Sequence, residues 1–366
     1  MKKCVAVAMS GGVDSSVTAA LLKEQGYDVI GITLQLWEED PVCAPVENIH
    51  SCCSLSAVDD AKAVAAVIGI PHYTLDYRKP FRNDVIQYFI RSYTEGRTPN
   101  PCIACNKFIK FGLLWEQAQK FGAQYLATGH YAQIRYNDGN QRYELLRGAD
   151  RRKDQSYVLY QLNQDLLPHI LFPMAAYEKS ETREMAKKYN LPVFNKPESQ
   201  DICFIPDNDY KGFLKKEVPK SFKPGDFVDV KGHVLGRHNG IPCYTVGQRR
   251  GLHLGGPGGP FYVVALDVPH NRVIVGTEQD LFRTDVDAVD VSWVEGIPKT
   301  PFKALGKIRY AAPESPCMVY PDGNGMHVVF EKAQRAVTAG QALVLYDRET
   351  GCLLYTSDAA DDRISV

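Results

Sequence analysis

The chain has 366 residues, of which 45% are hydrophobic and 23% charged, and its formal net charge at pH 7 is -1. This length allows two or three domains with separate cores, and the near-zero charge excludes a wholly basic nucleic-acid binder but not local basic patches. No apolar stretch approaches the length of a membrane span, and the amino terminus lacks the apolar core of a secretory signal. We therefore expect a cytoplasmic location.

The first 130 residues alternate between strand-like and helix-like patterns. The predicted strands lie at 5–9, 29–34, 72–75 and 125–128. Between them, apolar residues recur three and four positions apart, as in amphipathic helices, and Gly26 and Gly69 are typical helix ends. This alternation predicts an α/β fold with a doubly wound parallel sheet, whose ligands bind at the carboxyl ends of the strands.

The turn after the first predicted strand has the composition of a phosphate-binding loop. It reads Ser10-Gly11-Gly12-Val13-Asp14-Ser15-Ser16 and leads into a helical pattern. The two glycines can bring backbone N–H groups close to a ligand, and the following helix points its positive end at the same place. Asp14 can hold Mg²⁺ that bridges phosphate oxygens. No lysine follows the glycines, so the loop is not of the Walker type.

The second half of the chain changes character. A hairpin is predicted over 134–146 and a helix over 180–189, and after about residue 206 short alternating strands are separated by glycine and proline. We predict three domains. They are an α/β catalytic domain at 1–206, a small β-rich domain at 207–277 and a β-barrel at 278–366.

The carboxyl-terminal stretch departs from the barrel pattern. Where a closing strand is needed, residues 356–362 read Thr-Ser-Asp-Ala-Ala-Asp-Asp, which would place charge in a barrel wall. We interpret 352–366 as the product of a frameshift or sequencing error rather than as native sequence.

The ten cysteines of a chain expected in the cytoplasm indicate metal or thiol chemistry rather than a disulfide framework. Cys102 and Cys105 form a CxxC pair, predicted on a loop before a helix over 106–121, where the positive helix end favours thiolates. A CxxC pair alone is compatible with redox chemistry, zinc or an iron–sulfur cluster. A zinc site completed by Cys52 and Cys53 is therefore an alternative.

Seven segments along the chain resemble motifs of the bacterial tRNA-uridine 2-sulfurtransferases, which carry a pyrophosphatase-type ATP loop. The segments are SGGVDSS at 10–16, LWEED at 36–40, GRTPNP at 96–101, ATGHY at 127–131, KDQSY at 153–157, DICFI at 201–205 and TVGQR at 245–249. The resemblance covers nearly the whole chain up to about residue 350.

The resemblance implies that ATP adenylates the C2 oxygen of the wobble uridine in tRNA and that pyrophosphate leaves into the loop. A persulfide on Cys203 then attacks C2, and Cys105 releases the sulfur and ends in a disulfide with Cys203. The products are 2-thiouridine, AMP and pyrophosphate. The implied ATP contacts are Ala8, Met9, Ser10, Gly11, Gly12, Val13, Asp14, Ser15, Leu34 and Gly129.

The resemblance also implies tRNA as a partner, with the target base flipped out of its stack, and a sulfur-donor protein, either a cysteine desulfurase or a sulfur carrier. The implied tRNA contacts are Asn100, Pro101, Cys102, His130, Lys153, Asp154, Gln155, Arg309, Tyr310 and Gln341.

One difference from the family pattern leaves a second mechanism open. Many relatives have Asp where this chain has Cys102, so Cys102, Cys105 and Cys203 could together hold a [4Fe-4S] cluster whose fourth iron binds sulfide. Two other readings also remain. The first is a ligase that uses a nitrogen nucleophile, which the three cysteines disfavour. The second is a non-catalytic iron–sulfur or zinc RNA-binding protein, which the intact loop disfavours.

Overall fold

The structure is a computed structural model that describes residues 2–37, 55–197, 202–255, 260–293, 298–323 and 325–358. The helices are α1 Val13–Glu24, α2 Leu55–Ile68, α3 Arg78–Phe81, α4 Gln87–Thr94, α5 Pro101–Ala104, α6 Leu114–Lys120, α7 Lys179–Lys188 and α8 Tyr210–Glu217. Two π-helical stretches, Arg82–Ile86 and Cys105–Leu113, continue α3 and α5.

The strands account for most of the remaining regular structure. They are β1 Cys4–Ala8, β2 Asp28–Gln35, β3 His72–Asp76, β4 Tyr125–Ala127, β5 Ala132–Asn137, β6 Arg142–Arg147, β7 Ile170–Leu171, β8 Gly225–Asp229, β9 Val234–His238, β10 Tyr262–Asp267, β11 Arg272–Gly276, β12 Phe282–Trp293, β13 Phe302–Lys307, β14 Ser315–Asp322, β15 Gly325–Arg335, β16 Ala342–Tyr346 and β17 Leu353–Asp358. The chain divides into two compact units, Met1–Ile86 with Pro101–Asn208 and Gln87–Asn100 with Asp209–Val366.

The first unit is built on a five-stranded parallel sheet with the order β3-β2-β1-β4-β7. The central strand β1 is a continuous apolar run because it is covered on both faces, and Val5 and Val7 are fully buried. Val17 and Leu21 of α1 belong to the same buried cluster. The strand order reverses at β1 and β4, so the carboxyl ends of these two strands flank the crevice where such sheets bind ligands.

The second unit is β-rich. Strands β10-β11-β8-β9 form one sheet, and β12-β15-β14-β13-β16-β17 form a closed barrel. The barrel is filled by apolar side chains, among them the fully buried Val319, Val328 and Leu345. The α/β fold followed by β-rich elements and a barrel confirms the predicted fold class.

Two details differ from the sequence-based expectations. The helix predicted to begin at Asn106 begins at Pro101, because proline suits the first helical position, so Cys102 and Cys105 lie on the helix and not on a loop before it. Strand β17 pairs Thr356 with both Ser292 and Val344, so a strand closes the barrel where the sequence pattern breaks. Backbone hydrogen bonds supply this pairing whatever the side chains.

Residues 359–366 lie outside the described residues, and the interpretation of 352–366 as non-native stays a prediction. Within the described ranges, no helix has both the length and the apolar character needed to cross a membrane.

Candidate nucleotide site

A cavity of about 200 Å³ opens at the carboxyl ends of β1, β2 and β4 in the first unit. Its apolar wall comes from the strands and from α6, and its polar wall from the loop after β1 and the segment after β4. The lining residues are Ala8, Met9, Ser10, Asp14, Ser15, Ile32, Leu34, Leu36, Lys110, Leu114, Thr128, Gly129, His130 and Gln155.

Seven of the ten predicted ATP contacts line this cavity, namely Ala8, Met9, Ser10, Asp14, Ser15, Leu34 and Gly129. The other three, Gly11, Gly12 and Val13, form the turn that leads into α1. Gly12 is the N-cap of α1 and offers no side chain to the first helical N–H groups, so this helix end is suited to an anion.

The loop needs glycine at Gly11. Its φ is 64°, and an added Cβ would lie 2.2 Å from the carbonyl oxygen of Ala57 in α2. Hydroxyl groups fix the rest of the turn. The Ser15 Oγ lies 3.1 Å from the Ser10 backbone N, which donates to it, and the Ser16 Oγ donates to the Gly12 carbonyl over 2.8 Å. These local bonds hold the loop in the shape that the cavity shows.

Two lysines that the sequence analysis did not identify reach the loop from far along the chain. The Lys179 ammonium lies 2.5 Å from the Asp14 Oδ1, to which the Tyr131 hydroxyl also donates over 2.9 Å. The Lys196 ammonium donates to the Gly11 carbonyl over 3.0 Å and lies 2.5 Å from the Asp60 carboxylate. No local motif could have revealed them, because 165 and 185 residues separate these lysines from Asp14 and Gly11.

His130 lines the cavity as a buried side chain. Its Nδ1 lies 2.7 Å from the Thr128 Oγ1. Burial holds the pKa of His130 well below its ordinary value, and the nearby Lys110 ammonium acts in the same direction. The imidazole is therefore neutral at pH 7 and offers one donor and one acceptor.

The other predicted tRNA contacts of the first unit differ in exposure. Gln155 lines the cavity and accepts from the Tyr131 backbone N–H over 3.0 Å. Asp154 is buried, and its carboxylate accepts from the Gly148 N–H and from the N–H and hydroxyl of Ser156, over 3.1, 3.2 and 2.8 Å. These bonds give Asp154 a structural role in its own loop. Lys153 is half-buried, and Pro101 is buried at the start of α5.

The second unit holds the remaining predicted contacts. Gln341 donates to the Thr98 carbonyl over 2.8 Å, and the Arg309 guanidinium donates to the Ala336 carbonyl and to the Thr338 hydroxyl. Tyr310 is exposed and Asn100 half-buried. In this unit the structure therefore presents Tyr310 most openly.

The three informative cysteines differ in exposure: Cys102 is exposed, Cys203 half-buried and Cys105 buried. All three are thiols. In the part of the chain that the structure describes, no group of three or more His, Cys, Asp or Glu side chains is arranged to hold a metal ion. Cys52, Cys53, residues 38–40 and Asp201 lie outside the described residues.

A parallel sheet with a serine–glycine loop at its switch point, joined to β-rich domains, defines an enzyme of the pyrophosphatase-loop class that uses ATP. Comparison with known families supports this description. Residues 3–207 match the tRNA methyl transferase HUP domain, 211–277 the tRNA methyl transferase PRC-barrel domain and 283–353 the aminomethyltransferase beta-barrel domain.

Close relatives define the family further. The chain is 51% identical over 349 residues to the tRNA-specific 2-thiouridylase MnmA of Carboxydothermus hydrogenoformans, covering 94% of each protein. It is also 51% identical over 351 residues to the protein of the same name from Heliobacterium modesticaldum, covering 94% of this chain and 90% of that protein. The chain belongs to the family of the tRNA-specific 2-thiouridylases.

Proposed function

We propose that this chain replaces the C2 oxygen of the wobble uridine of tRNA by sulfur in an ATP-dependent reaction that yields 2-thiouridine, AMP and pyrophosphate. The observation that carries the proposal is the cavity that joins an apolar wall to a serine–glycine loop at the switch point of the sheet. The names of the relatives, which are tRNA-specific 2-thiouridylases, point to the same chemistry. The descriptions of the family domains mention methyl transfer, a reaction that does not need a loop of this type for ATP.

The cavity supports a definite placement of ATP. Ile32, Leu34 and Leu36 supply an apolar wall that suits adenine, and the loop with the start of α1 supplies N–H groups for the phosphates. The Asp14 carboxylate, which lines the cavity, is the residue that would hold Mg²⁺, and the ion would neutralise charge that develops on the departing pyrophosphate. At this end of the cavity, the AMP part of ATP would be transferred to the substrate oxygen and pyrophosphate would leave.

Sulfur transfer is assigned to Cys203 and Cys105. The outer sulfur of a Cys203 persulfide attacks C2, the C2–O bond breaks and AMP leaves with the oxygen. The Cys105 thiolate then attacks the Cys203 sulfur, which forms a Cys105–Cys203 disulfide and leaves the other sulfur on C2. Two thiols of a reductant restore the enzyme, and the donor protein reloads Cys203.

The partners and the location follow from the same proposal. The substrate is a tRNA whose wobble uridine leaves its stack, and the sulfur donor is a cysteine desulfurase or a carrier loaded by one. His130 and Gln155 line the cavity and would meet the flipped nucleotide, whereas Tyr310 would meet tRNA from the second unit. A cytoplasmic location fits this substrate.

The decisive experiment incubates the purified protein with unmodified tRNA, Mg²⁺–ATP and a persulfide donor, then digests the tRNA for nucleoside mass spectrometry. We expect 2-thiouridine with equal amounts of AMP and pyrophosphate, and none with Cys203→Ser or Cys105→Ser. Cys243→Ser is the matched control, since Cys243 is half-buried in the second unit. A methylated uridine, or ATP split to ADP, would refute the proposal.

The same preparation tests the cluster alternative. Anaerobic purification with iron and sulfide analysis is repeated for Cys102→Asp, which restores the residue of many relatives. A protein free of iron whose activity survives this substitution supports the persulfide route. Stoichiometric iron and sulfide, both lost in the variant together with activity, would favour the cluster.

A further inference from the structure

The segment from Lys179 to Lys196 contacts the serine–glycine loop at two points. Lys179, the first residue of α7, places its ammonium 2.5 Å from the Asp14 carboxylate, and Lys196 places its ammonium 3.0 Å from the Gly11 carbonyl. Both side chains are mostly buried, with 13% and 14% of their surface exposed. Lysines held this far from water are not ordinary surface charges.

The backbone around Lys196 is fixed by hydrogen bonds. Its N–H donates to the Val193 carbonyl over 2.9 Å, and the Arg183 guanidinium donates to its carbonyl over 3.3 Å. Arg183 lies on α7, the helix that also carries Lys179. The helix that carries Lys179 therefore also contacts the backbone of Lys196, and the Asp60 carboxylate holds the Lys196 ammonium from a second side.

The contact with Gly11 orients a donor of the loop. A trans peptide is planar, and its C=O and N–H point in opposite directions. When the Lys196 ammonium holds the Gly11 carbonyl, the Gly12 N–H points away from Lys196. This N–H precedes α1, where backbone donors have no partner inside the helix and suit an anion. Lys196 therefore determines the direction of one anion-binding donor without itself lining the cavity.

Lys179 acts on the other component of the loop. Its ammonium and the Tyr131 hydroxyl both bond the same oxygen of Asp14, which keeps the carboxylate in one orientation at the cavity wall. The lysine also balances the negative charge of Asp14 beside a site proposed for an anion. The loop itself contains no lysine.

We propose that Lys179 and Lys196 are positioning residues for pyrophosphate at this loop. Lys196 holds the Gly11 peptide, and Lys179 holds the Asp14 carboxylate. The proposal deepens the proposed function and rests on it, since pyrophosphate is the product that this loop would release. Neither lysine is assigned a covalent step.

The test uses the full chain with Lys196→Met and Lys179→Met, and with Lys188→Met as the matched control. Lys188 lies on the same helix α7, its side chain is 70% exposed, and its ammonium lies 3.9 Å from the Glu24 carboxylate. The first measurement is hydrogen–deuterium exchange of residues 9–16 without any ligand. We expect exchange about tenfold faster in Lys196→Met, because its carbonyl clamp is lost, and no change in Lys188→Met.

The second measurement is calorimetric binding of Mg²⁺–pyrophosphate, followed by the KM for ATP. We expect about tenfold weaker pyrophosphate binding in both variants, and a higher KM for ATP. If Lys196→Met does not fold, Asp60→Asn replaces it, since Asp60 is 39% exposed and its loss loosens the same ammonium. The expected result for Asp60→Asn is a smaller change in the same direction.

The outcomes separate the two proposals. If the wild-type protein makes 2-thiouridine but the lysine variants behave like Lys188→Met, the positioning role is overturned and the proposed function stands. If no 2-thiouridine forms while loop exchange and pyrophosphate binding respond to the lysines, the proposed function fails and the positioning role stands. If Lys196→Met binds pyrophosphate more weakly but exchanges residues 9–16 at the wild-type rate, the claim that Lys196 holds the Gly11 peptide is overturned.

Discussion

Replacing Gly129 by alanine tests whether the end of β4 and the loop after β1 must touch. An added Cβ at Gly129 would lie 2.8 Å from both the Asp14 carbonyl carbon and the Ser15 nitrogen. These are backbone atoms at the start of α1, so no side-chain rotation relieves the overlap. Either the loop or the segment after β4 must move by several tenths of an ångström.

The size of the effect follows from the packing. Insertion of a methyl group into a closely packed site costs about 1–3 kcal/mol of unfolding free energy. For a unit of about 200 residues, each kcal/mol lowers Tm by about 2–4 °C. The same displacement misaligns the donors for phosphate, and a misplacement near 1 Å can cost about a hundredfold in rate. We expect weaker ATP binding by about tenfold, together with the fall in Tm.

The assay compares Gly129→Ala with Gly255→Ala by differential scanning calorimetry and by calorimetric titration with Mg²⁺–ATP. Gly255 is the matched control because an added Cβ there meets no atom within 4 Å. Wild-type Tm and wild-type ATP affinity in Gly129→Ala would refute the reasoning, since the contact would then carry no cost. A fall in Tm with unchanged ATP affinity would place the strain away from the site.

Three further predictions concern other residues. Cys203→Ser and Cys105→Ser should abolish thiolation yet bind ATP as the wild type does, because neither side chain lines the cavity; calorimetry with ATP checks this. Burial lowers the pKa of His130 in the folded protein, so below about pH 6.5 this histidine is protonated in the unfolded chain but not in the folded one. The free energy of unfolding should therefore fall by up to about 1.4 kcal/mol for each pH unit below about 6.5. Urea titrations should show a weaker pH dependence for His130→Asn. Asp154→Ala should lose about 1–3 kcal/mol of unfolding free energy, because the N–H groups of Gly148 and Ser156 and the Ser156 hydroxyl lose their acceptor, whereas Lys153→Met should weaken tRNA binding in filter assays.

The sequence predicts the parts of this molecule that depend on neighbouring residues. The strand, the two glycines, Asp14 and the serines lie within one short stretch, so the loop and its place after β1 could be inferred directly. The apolar periods likewise located α1, α7 and strands β1 to β4 of the sheet to within a few residues, whereas the two-residue strand β7 is too short to show a period. Pattern and local chemistry agree in these places.

Other features depend on tertiary contacts that no local pattern encodes. Lys179 and Lys196 are ordinary lysines in the sequence and gain their meaning only where α7 packs beside the loop. The start of α5 is not evident from the sequence because Pro101 suits both a loop and the first turn of a helix. Strand β17 was missed because backbone pairing with β12 and β16 outweighs its polar composition.

The long separation between the loop and its lysines has a consequence for how the protein can be divided. A fragment that ends before residue 179 would retain β1 to β7 and every residue of the loop, yet it would lack both ammonium groups that hold it. Such a fragment would contain the complete loop motif, but Gly11 and Asp14 would lack their contacts with Lys196 and Lys179. During synthesis, likewise, the loop would leave the ribosome well before α7 and would gain its two lysine contacts only after α7 and the turn that follows it had been made.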